Sequence, residues 1–304
     1  MRVAAIDLGT NTFLLLVADV TGGRIDKVVH DEARVIRLGQ GVNQTKRLHP
    51  EAMQRAEACF RDFSHTIQKL GVDQVRAAAT SAARDVENGA ELIELGARYG
   101  IPIDIISGEK EAELTFWGTF REELKGPAVI IDTGGGSTEY ILGDQTGLVA
   151  RASLDIGSVR LTEMFVTNHP IESSEVLKMS TYIQDRVATL RNRFPIALGT
   201  KLVAVAGTPT TLAAIDQGHA FESERVDGHI LKLTKVRQFV QTMAAMTMEE
   251  RQQLAGMEPK RADVIVAGAL ILMLSCQALG ASEMEVSVRG LRYGLARKLG
   301  GMPR

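Results

Sequence analysis

The sequence predicts an α/β protein built from a duplicated domain, and three observations carry that reading. The order strand, tight turn, strand, strand, then alternating helix and strand, is met twice along the chain. The turns themselves are alike, "AAIDLGTNTFLLLVADVTGGRI" pairing with "VIIDTGGGSTEYILGDQTGLV". With 304 residues, 45% hydrophobic and 24% charged, the chain has the size and composition of one large or two ordinary globular domains.

The elements follow in order. "VAAIDLG" and "TFLLLVADV" read as strands joined by the turn Asp7 to Thr12, with a third strand near "KVVHDEARVIRLG". Pro50 opens a helix that Gly71 stops, and Met53, Ala56, Phe60, Phe63, Ile67 and Leu70 recur at helical steps along its buried face. "VRAAAT" is a buried strand, "RDVENGAELIELGARYG" a helix, "IPIDIIS" a strand, and "GEKEAELTFWGTFREEL" a helix. From Ala128 the order restarts with "AVIIDTGGGSTEYILG" and "LVARASLDIG". A long helix over "IESSEVLKMSTYIQDRVATLRNRF", the strand "KLVAVAG" and a helix from "TPTTLAAID" follow. The domain boundary is expected near Leu124–Pro127, giving domains 1–124 and 125–304, with Lys125-Gly126-Pro127 as hinge. The last strand and helix, about 285–304, are expected to return to the first domain.

The formal net charge of −2 argues against a general nucleic-acid binder. Cys59 and Cys276 are the only cysteines and lack metal-ligand spacing, so neither a zinc site nor a disulfide framework follows. Both read as small buried hydrophobes. The uncharged run Val264–Ala281 is interrupted by Ser275, Gln277 and glycines and reads as a central core helix, not a membrane span. The N-terminal "MRVAAIDLG" has no signal-peptide pattern, so a cytoplasmic protein without membrane attachment is expected.

Three consecutive glycines, Gly134, Gly135 and Gly136, stand between Asp132 and Ser137-Thr138-Glu139. Glycines cost backbone entropy and give no side-chain packing. Bare amides and small hydroxyls suit phosphate oxygens, although an ordinary hairpin accounts for the run equally well if it is taken alone. Asp7 and Asp132 each end an apolar strand, where a carboxylate is costly unless it meets donors or a cation. Two such carboxylates at a phosphate site are a natural place for Mg²⁺. "AVAGTPTTLAA" leads a strand through Gly207-Thr208 into a helix start, whose free amides suit an anion. No G-x-x-x-x-G-K-[ST] and no complete G-x-G-x-x-G is present.

Together "IDLGTNTFLLL", "ATSAARDVEN", "IISGEKEAEL", "IDTGGGSTEY", "SLDIGSVRLTE", "VAGTPTTLAA", "RADVIVAGALIL" and "VSVRGLRYGL" resemble the exopolyphosphatase/guanosine pentaphosphate phosphatase family. That family belongs to the actin-like, sugar-kinase and Hsp70 ATPase superfamily. The resemblance runs from Val3 to nearly Leu299. It implies two ribonuclease-H-like domains of the actin-like ATPase superfamily about an interdomain active-site cleft, and a homodimer. It implies Mg²⁺-assisted hydrolysis of the terminal phosphoryl group of inorganic polyphosphate, or of pppGpp as the alternative. A kinase of the same superfamily is disfavoured by "ISGEKEAEL", and a non-catalytic polyphosphate or alarmone (pppGpp/ppGpp) sensor by the intact carboxylates.

Residue by residue, Glu111 matches the glutamate that the family uses to activate water, and Asp7 and Asp132 match its metal-associated aspartates. Gly9, Thr10, Asn11 and Thr12, then Gly134, Gly135, Gly136, Ser137 and Thr138, then Gly207 and Thr208, match its phosphate-contacting loops. Arg84 and Glu139 match further polar positions of its catalytic cleft, and Arg261 resembles a position near the nucleotide site. Glu109 and Glu113 are expected to be solvated. Leu14 stands where many relatives carry His or Arg, which weakens an alarmone reading. The chain ends at Arg304 without the appended helical domains of longer relatives, so short polyphosphate is the expected substrate.

Overall fold

The structure is a computed structural model and describes residues 1–120, 124, 126–194, 196–197 and 200–302. The chain divides into two compact units, one of Met1–Thr119 with Arg289–Arg304, the other of Phe120–Val288. Lys125 of the expected hinge, and residues 121–123 at the end of the expected "GEKEAELTFWGTFREEL" helix, lie outside the described residues.

The first unit begins with β1 (Arg2–Leu8), β2 (Thr12–Thr21) and β3 (Arg24–Val35). A short helix α1 (Val42–Thr45), the long helix α2 (Pro50–Lys69) and β4 (Gln74–Ala79) follow. Then come α3 (Ser81–Arg84), α4 (Gly89–Arg98), β5 (Ile103–Ile105) and α5 (Gly108–Thr119). The strands form one sheet in the order β3-β2-β1-β4-β5. Strand β1 is antiparallel to β2 and parallel to β4. As a middle strand covered on both faces, β1 is apolar without alternation: Val3, Ala4, Ala5, Ile6 and Leu8 are all buried.

Helix α2 forms where its periodicity predicts. Pro50 sits in its first turn, His49 accepts from the Glu51 amide, and Ala56, Phe60, Phe63 and Ile67 are buried on one side of the sheet. Gly71, at φ +62°, lets the chain turn out of it. The expected "RDVENGAELIELGARYG" helix begins five residues late, at Gly89. The side chain of Asn88 is committed to Leu48, accepting from its amide at 2.8 Å, and Glu87 N–H donates to the Lys46 carbonyl at 3.0 Å. These contacts hold the chain between α3 and α4 off a helical path.

The second unit starts with β6 (Ala128–Thr133), β7 (Thr138–Asp144), β8 (Gly147–Leu154) and α6 (Ser158–Phe165). The expected long helix is two, α7 (Ser173–Val187) and α8 (Leu190–Arg193), separated by a turn at Ala188-Thr189. Next are β9 (Lys201–Val205), α9 (Gly207–Gln217), α10 (Ser223–Val226), β10 (Ile230–Lys232) and α11 (Leu233–Ala244). The unit closes with α12 (Met248–Gln252), a 3-10 turn at Pro259–Arg261, α13 (Ile265–Ala278) and β11 (Glu283–Val286). Its sheet runs β10-β11-β9-β6-β7-β8. Read from the β8 end, this is the strand order of the first sheet with β10 added antiparallel at the far edge. Helix α13 is the core helix that its composition predicts, buried from Ile265 to Leu272. Among the described residues no helix is long and apolar enough to cross a membrane.

At Arg289 the chain passes back to the first unit, where helix α14 (Leu291–Leu299) completes the core. Leu291, Tyr293, Leu295 and Ala296 pack with Val3, Ala5, Leu16 and Ala18, on the sheet face opposite α2. Helices α14 and α5 approach almost backbone to backbone. A Cβ on Gly294 would stand 1.8 Å from the Leu114 carbonyl oxygen, and one on Gly118 would stand 2.0 Å from that of Gly290.

Candidate active site

In the first unit Asp7 is the penultimate residue of β1, in register with Leu14 of β2 and Ala78 of β4. The hairpin that follows is closed by the Gly9 amide donating to the Thr12 carbonyl at 3.1 Å. The Asn11 carbonyl accepts from the amides of Ile36 and Arg37, and the Thr10 carbonyl from that of Gly39, all at 2.9 Å. Thr10 Oγ1 and Ser81 Oγ are 2.8 Å apart, which ties the hairpin to the start of α3. Asn11 is buried, and among the described residues its Nδ2 has no hydrogen-bond partner.

Arg84 ends α3 and Glu111 lies in the first turn of α5, and the two side chains meet. Arg84 Nη1 donates to Glu111 Oε2 at 3.4 Å and to the Ile106 carbonyl at 3.0 Å. Glu111 is only 7% exposed. A carboxylate at a helix start is favoured by the free amides there, and an arginine beside it offsets the cost of its burial. Glu113 pairs with Lys110 at the surface.

In the second unit the same hairpin recurs with other side chains. Asp132 is penultimate in β6, in register with Glu139 of β7 and Val205 of β9. The Gly134 amide donates to the Ser137 carbonyl at 3.0 Å, the counterpart of the Gly9–Thr12 bond. Where the first hairpin sets Leu14 opposite its aspartate, the second sets Glu139, which is 1% exposed and accepts from Ser153 Oγ at 2.7 Å.

The start of α6 docks onto the glycine run. Ser158 N–H donates to the Gly134 carbonyl at 3.0 Å, and the amides of Val159 and Arg160 donate to that of Gly135 at 2.9 and 3.0 Å. Arg160 Nε donates to the Gly136 carbonyl at 2.8 Å. A Cβ on Gly157 would stand 2.3 Å from the Gly135 oxygen. None of Gly134, Gly135 and Gly136 has a positive φ, so left-handed geometry does not account for the run; a Cβ on Gly134 would stand 3.1 Å from the Ser137 carbonyl oxygen. Thr138 Oγ1 donates to the Ile156 carbonyl at 2.6 Å.

The parallel pairing of β6 with β9 brings the start of α9 to the same end of the sheet as Asp132, the end where ligands gather in α/β sheets. Ala206 precedes the helix at φ +81° and ψ −173°. The Arg261 guanidinium lies on Gly207, whose Cβ, if present, would be 1.9 Å from Nη1. Burial lowers the pKa of Arg261, with Glu258 and Asp263 opposing that shift. Buried Thr208 faces Gly268 of α13. Arg251, fully buried, donates to the carbonyls of Met243, Met246 and Ala262 and so fixes the turn that carries Arg261.

Two groups escaped the sequence reading. One is Arg251. The other is a cluster in the first unit, where Arg292 donates to both oxygens of Asp31 at 2.9 Å and Tyr293 Oη donates to Asp31 Oδ2 at 2.9 Å. Only the presence of Arg292 in "VSVRGLRYGL" hinted at it. The donors that the two hairpins offer a metal are carboxylate, hydroxyl and amide oxygens, the set that suits a hard divalent cation. Among the described residues no group of three or more His, Cys, Asp or Glu could hold a metal by itself. A divalent cation at either hairpin would take further oxygen ligands from water or substrate.

The chain is 37% identical to exopolyphosphatase 2 of Mycobacterium tuberculosis, with 99% of each chain covered. It is also similar to the crystal structure of an exopolyphosphatase from Cytophaga hutchinsonii, at 28% identity and a TM-score of 0.89 over 100% of this chain and 99% of that one. A Ppx/GppA family member from Aquifex aeolicus matches at 27% identity and a TM-score of 0.80, over 98% and 97% of the two chains. These likenesses bear out the two-domain actin-like fold expected from the sequence. The family model for the Ppx/GppA phosphatases matches residues 16–299, and the chain belongs to the Ppx/GppA phosphatase family.

Proposed function

We propose that this protein is an exopolyphosphatase that hydrolyses the terminal phosphoryl group of inorganic polyphosphate. The observation that carries the reading is the buried Glu111 beside Arg84, in a chain 37% identical along its length to a named exopolyphosphatase. Phosphoryl transfer asks for an oriented nucleophile and for neutralisation of spread negative charge, more than for covalent help. In this reading Glu111 accepts a proton from water as the water oxygen bonds to the terminal phosphorus. The bridging P–O bond breaks, and orthophosphate leaves a chain shortened by one phosphate. Arg84 holds the Glu111 carboxylate in place, since one of its nitrogens is shared between Glu111 and the Ile106 carbonyl. The two hairpins and the Gly207-Thr208 helix start supply phosphate contacts, and the Arg261 guanidinium supplies charge. Asp7 of the first unit and Asp132 of the second are each read as metal-associated, and Mg²⁺, when bound, would screen the phosphate oxygens.

Leu14, opposite Asp7, offers no charge to a guanosine phosphate, so polyphosphate is placed ahead of pppGpp. The test is orthophosphate release from short polyphosphate, long polyphosphate and pppGpp, measured side by side. A kcat/KM higher for pppGpp than for either polymer would overturn the substrate assignment. No release from any of the three would overturn the activity.

A further inference from the structure

The Arg292–Asp31 pair joins residues far apart in the chain and lies on the same face of the first sheet as Asp7. The register of the first sheet sets Asp31 opposite Leu16, and Leu16 opposite Ala5. Cross-strand partners share a face, and so do residues two apart on a strand. Asp31, Leu16, Ala5 and Asp7 therefore point to the same side, the one that α14 covers. Arg292 reaches down from α14 onto that face with its guanidinium buried and makes a two-pronged bond to Asp31.

Burial opposes the charge of Arg292, but the Asp31 carboxylate more than offsets it and holds the pKa above its ordinary value. Asp7 adds a smaller contribution of the same sign. A pair this well made would serve as a structural clip anywhere on the sheet. At this position, on the face that carries the strand-end carboxylate of Asp7, its two charges can also act on that carboxylate.

We propose that the Arg292–Asp31 pair tunes the affinity of Asp7 for a divalent cation, Arg292 lowering it and Asp31 offsetting Arg292. The proposal rests on the reading of Asp7 as metal-associated. It makes a prediction of sign that a clip does not. Removing the negative partner leaves a bare cation on the face that carries Asp7 and weakens metal binding. Removing the positive partner strengthens it. Removing both returns the affinity toward the starting value.

The experiment is Mn²⁺ binding to the full chain, followed by electron paramagnetic resonance with no polyphosphate present. Asp31→Asn is expected to raise the dissociation constant, and Arg292→Gln to lower it, by about threefold or more each, the scale of single charges about 10 Å from a cation in a partly screened site. The double variant is expected within about twofold of wild type. Arg292→Lys, which keeps the charge and loses the fork, is also expected to stay near wild type, and with Asp31→Asn it keeps the test decisive if Arg292→Gln does not fold. Shifts of the same direction in both single-charge variants, a shift in Arg292→Lys as large as that of Asp31→Asn, or no shift in any, would overturn the proposal. Asp7→Asn separates the two readings. If it binds Mn²⁺ like wild type, the assignment of Asp7 falls and the tuning falls with it. If it loses Mn²⁺ while the pair variants do not shift, only the tuning falls.

Discussion

Arg84 and Glu111 come from different helices and share a hydrogen bond of 3.4 Å, with the Ile106 carbonyl 3.0 Å from the same arginine nitrogen. If Glu111 receives the proton of the attacking water, Glu111→Gln is expected to lose about a hundredfold or more in kcat, the usual weight of a general base, with phosphate binding retained. Arg84→Ala is expected to lower kcat as well, because the carboxylate loses the group that orients it. Steady-state phosphate release and phosphate binding by calorimetry check both. More than about a tenth of the wild-type rate in Glu111→Gln would remove that residue from its role.

Ala206 has a backbone conformation at φ +81° and ψ −173° that almost only glycine adopts, at a cost of about 1–3 kcal/mol for other residues. Ala206→Gly relieves that strain and adds about 0.5–1 kcal/mol of unfolded-state entropy cost. The net expectation is a gain of about 1 kcal/mol, read as a rise in the urea midpoint at unchanged slope. A lower midpoint would show that no strain resides there.

Gly294 has no room for a methyl group, its Cβ position being 1.8 Å from a backbone oxygen of α5. Neither backbone can yield without moving its helix, so Gly294→Ala is expected to cost about 2 kcal/mol or more, in the range of overpacked cores. Helix α5 also carries Glu111, so kcat is expected to fall in the protein that remains folded. Denaturant unfolding and activity per folded molecule separate the two effects. Wild-type stability in this variant would mean that the helices do not touch at Gly294.

Burial pushes the thiols of Cys59 and Cys276 up from 9.0, to about 12 and about 11. The neutral thiol is the form that the fold accommodates, so its contribution is complete below about pH 9 and is lost as pH rises toward these folded values. Native protein at pH 8 is expected to be inert to thiol reagents and to expose two reactive groups on unfolding. Absorbance of a chromogenic disulfide reagent follows both states. Rapid labelling of native protein would contradict this burial.

Much of the fold was legible because its signals are local. Pro50, the helical spacing of Phe60, Phe63 and Ile67, and Gly71 mark α2 within a single window of sequence. The repeated Asp-x-Gly turn marks both hairpins, and the uncharged run after Asp263 marks α13. What was not legible depends on distant partners. Asn88 cut a helix short because its amide was taken by Leu48. Nothing near Asp31 in the sequence points to Arg292, and nothing near Arg251 names the three carbonyls that it holds. The glycines of "IDTGGGSTEY" raised the question of phosphate, yet Gly157, whose own lack of a side chain lets it sit against the Gly135 backbone, stands in a separate segment. Leu14 and Glu139 stand seven residues after their aspartates in the paired turns, but that each lies directly opposite its aspartate is a matter of strand register.

Because α14 covers one face of the first sheet, the order of synthesis matters for this chain. A ribosome releases Val3, Ala5, Leu16 and Ala18 long before the residues that cover them, Leu291 to Ala296. The N-terminal unit must wait with an open apolar face while all of Phe120–Val288 is made and can already fold around its own core. The unit that is begun first is therefore completed only after the second has been made.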